Sequence, residues 1–413
     1  MKAKQWIGIL LIAVLALQLS ACVPQAKAAD LMEGIVPAEP LGEPFEVTEE
    51  QLDAAADFAL KLYRNGAETG KNGLISPLSV AAALAMTANG AVGDTLAQME
   101  QSLGMSQGEL NYYFRELLRK LPGEEGCRLC LANSLWFRDD GSLEIKRDFL
   151  QTNADFYGAA ARRAAFDRDT LQEINAWVKE KTEGMIPEVL DRIPDNAMMY
   201  LINALAFEAK WQEPYQKQDV EPGSFTAADG SERSVDYLYS EEYRFMQTDR
   251  AVGFVKAYEE RYAFAALLPE PGLSPEELLA GLDGASLRRL LTAEEYEPVR
   301  AALPKFALSC GTELSGALKE LGMPLAFDPE AADFSRMGTA SDRLYIGRVL
   351  HKTFISVAEQ GTKAGAASAV EIMTKGAVME KPRQVFLNRP FVYLLFDLES
   401  GVPFFVGVLN DPG

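Results

Sequence analysis

Apolar positions change period several times along the chain, and each change predicts an element. Leu52, Ala56, Ala59, Leu60 and Tyr63 recur at helical spacing behind Thr48 and Gln51, which have the spacing of a capping box, so a helix begins there. Ser76 followed by Pro77 marks a second helix start, and the small residues from Ala81 to Ala88 allow that helix to pack closely. The stretch LHKTFISV (350–357) alternates apolar and polar side chains and predicts a strand entering the core. Further on, VFLNRPFVYLLFDLESGVPFFVGVLNDP (385–412) places two apolar runs around Glu399, Ser400 and Gly401, the pattern of a buried hairpin.

Between these two patterns lies EQGTKAGAASAVEIMTKG (359–376). It has no proline, and from Ala364 to Ala369 almost every side chain is tiny. Its period is two: Thr362, Ala364, Ala366, Ser368, Val370 and Ile372 share one face, whereas Lys363 and Glu371 share the other. One face is therefore fit for burial, and a strand without proline can donate hydrogen bonds to neighbours on both sides. A small-residue segment that can also serve as a central strand predicts a conformational switch.

The N-terminus has a different character. Lys2 and Lys4 precede an apolar run, Trp6 to Leu17, which is short for a membrane span and suits a secretory signal over residues 1–21. Leu19, Ser20, Ala21 and Cys22 look like the lipobox of bacterial lipoproteins, in which the cysteine carries lipid and becomes the new N-terminus. The expected location is extracytoplasmic, lipid-anchored to the bacterial cell envelope. Residues 22–47, with four prolines among small and acidic residues, read as a tether. About 25 residues at full extension would reach roughly 80 to 90 Å. Residues 48–413 then form one folded body.

With 413 residues, 48% of them hydrophobic, the chain can bury a large core. The formal charge is −20, and loss of Lys2 and Lys4 with the leader takes it to −22. A phosphate backbone requires a basic face, so nucleic acid is not an expected partner. Cys127 and Cys130 form a lone C-x-x-C; a structural zinc would need two further ligands, and only Cys310 and a single histidine remain, so no metal or cofactor is expected. That histidine, His351, lies in the alternating stretch, and no G-x-S-x-G elbow, His pair or P-loop spacing occurs. Catalytic hydrolysis would lack its usual base, and the chain is not expected to be an enzyme.

Several of these blocks carry a resemblance. FISVAEQGTKAGAA (354–367) resembles the reactive-loop hinge of the serpin family, and six further blocks fit that family in order: NGLISPLSVAAALAMTANGAVGDTLAQM (72–99), LANSLWF (131–137), INAWVKEKTEGMI (174–186), LINALAFEAKW (201–211), LPKFAL (303–308) and LGMPLAFDPEAADFSRM (321–337). Asn388 to Phe391 in the C-terminal block fit its signature as well. The resemblance covers residues 48–412. It implies an α+β serpin fold: a large, mostly antiparallel central sheet, smaller sheets, eight or nine helices, and an exposed reactive loop near 359–384.

The resemblance also implies the working residues. The hinge comprises Glu359, Gly361, Thr362, Lys363, Ala364, Gly365, Ala366 and Ala367, with Lys363 standing where inhibitory serpins usually carry Glu. Counting on from Glu359 brings the reactive bond to Lys375 and Gly376, with Thr374 or Gly376 as the alternative acyl-side residue; a basic residue there suits a trypsin-like protease, with subtilisin-like proteases as the alternative target. Ser76, Ser79, Asn203 and His351 match the polar cluster beneath the opening of the sheet, and Trp211 matches a tryptophan at its top. The implied action is a monomeric suicide substrate that traps a serine protease as an acyl complex. The alternative is a non-inhibitory serpin that binds or chaperones without loop insertion.

Overall fold

The computed structural model describes residues 28–38, 45–120, 123–124, 127–194, 197–294, 296–341, 343–362 and 383–413. Helix α1 (Glu49–Gly66) starts as its sequence predicts: Thr48 Oγ1 accepts from the Gln51 N–H, and Gln51 Oε1 accepts from the Thr48 N–H. Helix α2 (Pro77–Ala88) is capped by Ser76 and buries every residue except Ala81, so it runs through the interior beneath the main sheet. Nine α-helices occur among the described residues.

Seven strands of the eight-stranded main sheet bear on function: β1 (Ala29–Asp30), β2 (Cys127–Arg138), β3 (Ala160–Ala164), β4 (Met199–Lys210), β5 (Phe306–Glu313), β6 (Arg348–Ala358) and β7 (Gly361–Thr362). Their spatial order is β1–β3–β2–β4–β7–β6–β5. The spine is the β2–β4 ladder, antiparallel from Cys127 opposite Ala209 to Phe137 opposite Met199. A six-stranded sheet includes Tyr262–Pro269, Phe391–Asp397 and Pro403–Leu409, all buried along their whole length. Cover on both faces explains why those stretches read as continuous apolar runs rather than alternating ones. The last two form the expected hairpin. A four-stranded sheet, Arg383–Phe386, Val299–Pro304, Glu232–Glu242 and Val220–Thr226, receives the chain where its description resumes at Arg383.

One expectation is corrected. The tether read over 22–47 is not extended between Ala28 and Ala38, because this segment lies against the body. Ala29 and Asp30 pair with Arg163 and Arg162 of β3, the Leu31 N–H donates to the Ala161 carbonyl at 2.9 Å, and the Ala28 N–H donates to Glu173 Oε2 at 2.9 Å. Helix α3 (Arg147–Tyr157) adds Arg147 Nη2 to the Gly34 carbonyl and Gln151 Nε2 to the Val36 carbonyl, and its Asp155 accepts from the Ala38 N–H. The physical reason is the outer edge of β3, which offers backbone groups that need partners and finds them in Ala29–Leu31, a stretch without proline.

Candidate functional site

Strand β6 buries alternate residues, Val349, His351, Thr353, Ile355 and Val357. On one side it pairs with β5 from Val357 opposite Phe306 to Leu350 opposite Glu313. On the other side it pairs with β4 in parallel, but only over Arg348–Lys352 against Tyr200–Ala204. Above Lys352 the two strands part. Among the described residues, the only bridge across the upper gap is β7, where the chain turns at Glu359 and Gln360 and comes back into the sheet. Gly361 and Thr362 pair with Ala358 and Val357 on one side and with Lys210 and Ala209 on the other. The main sheet therefore has a slot with a two-residue strand already seated at its mouth.

Specific side chains hold that mouth. Trp211, fully buried, donates from Nε1 to the Ala358 carbonyl at 2.9 Å, and its backbone N–H donates to the Gln360 carbonyl at 3.0 Å. The Tyr215 N–H donates to the Glu359 carbonyl at 2.9 Å. Tyr258 stacks on the Trp211 ring with centroids 4.3 Å apart, and its hydroxyl lies 2.5 Å from Thr362 Oγ1. Thr362 is 1% exposed, so the face assigned to burial by parity is the buried one at this residue. Gly361 has φ +149°, and a Cβ there would meet the Ala209 carbonyl oxygen at 2.0 Å; only glycine fits this re-entrant turn.

Charges complete the mouth. Glu359 forms an ion pair with Lys305 at 2.8 Å, and that hydrogen bond holds its carboxyl below the usual carboxylate range. Deeper, Lys256 pairs with Glu242 at 2.8 Å while its ammonium sits 4.4 Å from the Tyr215 ring centroid and 5.5 Å from that of Trp211. Lys256 is 3% exposed, so the pair is desolvated and each partner depends on the other. Sequence reading missed Lys256, Glu242, Lys305, Tyr215 and Tyr258. The available signal was a lysine inside the apolar run VGFVKAY (252–258).

The lower end of the slot carries the second cluster. His351 Nε2 accepts from the Ser76 N–H at 2.9 Å, so the ring is neutral with its proton on Nδ1, for which no partner occurs among the described residues. Burial pushes the His351 pKa down to about 4. Ser76 caps α2 through the Ser79 N–H at 3.3 Å, Ser79 Oγ donates back to the Ser76 carbonyl at 3.1 Å, and Thr353 Oγ1 donates to the Leu74 carbonyl. Asn203 stands directly across the parallel rungs from His351; its side chain lies outside the described residues. Trp211 lies eight residues further up than Asn203, roughly 26 Å, so it belongs to the mouth and not to this lower cluster.

Lys363, Ala364, Gly365, Ala366, Ala367, Thr374, Lys375, Gly376 and Cys22 lie outside the described residues. Cys127 and Cys130 are on β2 and Cys310 on β5, where burial pushes its thiol pKa up. No group of three ligating side chains occurs among the described residues.

A slotted sheet with a hinge already turned into it defines the class, and comparisons with known proteins agree. The family model Serpin (serine protease inhibitor) matches residues 53–412. An uncharacterized serpin-like protein of Thermococcus kodakarensis is 30% identical over 370 residues, covering 87% of this chain and 85% of that protein. The leukocyte elastase inhibitor of Equus caballus is 30% identical over 390 residues, covering 88% of this chain and all of its own length. Among solved structures, the thermophilic serpin Tengpin in its native state is similar with a TM-score of 0.89 and 42% identity, covering 94% of this chain and all of that one. The chain belongs to the serpin family and has the serpin fold.

Proposed function

We propose that this serpin is an inhibitor of trypsin-like serine proteases, presenting Lys375–Gly376 as bait and acting by insertion of its loop into the main sheet. The protease serine attacks the Lys375 carbonyl, an ester forms, and the Gly376 amine leaves. Gly361 to Lys375 then enters the slot between β4 and β6 as a new strand, about 50 Å long, a form of strand addition for which the serpin loop is itself a standard example. The acyl group travels with it. Deacylation needs a positioned triad and oxyanion donors, and displacement spoils both.

The observation that carries this reading is the seated pair Gly361–Thr362, with backbone pairing on both sides and Thr362 buried: insertion has a beginning in the uncleaved chain. The family description as serine protease inhibitors supports it. Lys363 falls on the opposite parity from Thr362, so it would remain on the outer face and leave insertion unhindered. We also propose that the protein is a monomer held to the cell envelope by lipid on Cys22.

Mixing the protein with trypsin tests the main reading. The expected product is an SDS-stable complex near the sum of the two masses, with mass spectrometry placing the junction at Lys375. Clean cleavage without a complex would overturn it in favour of a non-inhibitory serpin.

A further inference from the structure

We infer that the docked leader fixes how this protein stands on a membrane, with the lower end of the main sheet toward the lipid and the reactive-loop end pointing away. The inference rests on the lipidation of Cys22 proposed above. Its structural part is the register. Ala29 pairs with Arg163, Arg163 with Phe137, and Phe137 with Met199, so the leader joins the sheet level with the first residue of β4. The hinge joins level with its last residue, Lys210 opposite Gly361. Eleven residues of strand separate the two levels, about 36 Å.

Direction follows from the same pairs. β3 runs parallel to β2, β2 antiparallel to β4, and β1 antiparallel to β3, so β1 runs in the sense of β4, upward toward the hinge. Traced backward from Ala29, the chain leaves downward, and Glu173 holds its Ala28 N–H at that exit. Only five residues lie between Cys22 and Ala28, and those six steps reach at most about 20 to 22 Å whatever their conformation. That is shorter than the interval between the two ends of the sheet. A lipid on Cys22 therefore cannot remain in the bilayer while the loop end turns to face it. Without the docked segment the reach would be several times longer, and the body would be free to tumble.

The lower end carries charges of both signs: Arg168 and Arg192 are exposed there, and Arg163 pairs with Asp139. Asp139 and Asp140, just past β2, and Asp167, the cap of helix α4 (Arg168–Lys181), are exposed there. The orientation comes from the length and seat of the leash, and it should not depend on salt. The loop would then meet proteases arriving from the medium.

The test uses the full-length protein purified from membranes and reconstituted in vesicles containing an acceptor-labelled lipid. A clickable residue carries a donor fluorophore either at Asp140, at the lower end, or at Glu213, beside Trp211 at the upper end. Energy transfer is expected to be severalfold stronger from 140 than from 213, unchanged between low and high salt. Insertion of about twenty Gly/Ser residues between Lys27 and Ala28 should bring the two values together. The intact mass reports lipid on Cys22 separately. Absence of lipid would overturn the anchoring reading and the orientation with it; lipid present with equal transfer from both positions would overturn the orientation alone.

Discussion

The two ends of the slot between β4 and β6 are closed by different physics. At the top, two residues of the hinge are held by an indole, a stacked tyrosine and a buried ion pair, interactions concentrated in side chains around one short piece of backbone. At the bottom, five consecutive residues on each strand pair directly, and a neutral histidine braces them against the end of α2. On the proposed mechanism, the top would hold an inserted strand in place, whereas the bottom would have to be undone before insertion continued. Stability at one end would then favour inhibition and stability at the other would oppose it.

That contrast is open to attack at either end. The largest effect is expected from Thr362→Arg. A guanidinium at a site 1% exposed, against the Tyr258 hydroxyl, would be a buried charge without a partner and would expel the hinge. Covalent complex with trypsin should fall below detection on a denaturing gel while cleavage of the loop persists; an undiminished complex would refute the role given to the seated strand. Next, Lys256→Met leaves Glu242 buried and alone, with an expected loss of about 3 to 5 kcal/mol in thermal unfolding. Adding Glu242→Leu should recover much of that loss, as a double-mutant cycle would reveal.

The bottom is sensitive to acid. His351 protonates near pH 4 in the fold and near 6.5 when unfolded, so between these values the unfolded chain binds the extra proton. Stability should therefore fall as pH drops from about 6.5 to about 4, by something on the order of 3 kcal/mol. Urea unfolding across this range should show the slope, and His351→Gln should flatten it. The smallest effect belongs to Glu359→Gln. Its pair with Lys305 is about one-third exposed on each side, worth roughly 0.2 to 1 kcal/mol. Faster hydrogen exchange at the Gly361 and Thr362 amides would register it, with little change in the overall unfolding midpoint.

Much of this architecture could be read from residue order, and the parts that could not share a cause. Alternation over 350–357 and the parity of Thr362 are local properties, and both hold in the fold. The caps at Thr48 and Ser76 are equally local. The ion pair of Lys256 with Glu242 joins residues from two sheets, and the Lys305–Glu359 pair spans 54 positions; no spacing rule links such partners. The leader was misread for a related reason. Pro37 and its neighbours have the composition of a linker, but the partners of Ala28 and Leu31 come from Glu173 and Ala161, well over a hundred residues away. The reactive bond itself, which rests on counting from Glu359, lies outside the described residues.

On the proposed mechanism, the five parallel rungs between Arg348–Lys352 and Tyr200–Ala204 would also set the direction of the process. Inserting a strand there would break one parallel ladder and create two antiparallel ones along the full length of β4 and β6, each the more stable kind of pairing per residue. The sheet would act as a ratchet: every residue that slides in adds rungs on both sides, and none can leave without tearing two seams at once. Each molecule could then fire a single time, and the capacity to withstand a protease would be set by how many copies were present beforehand.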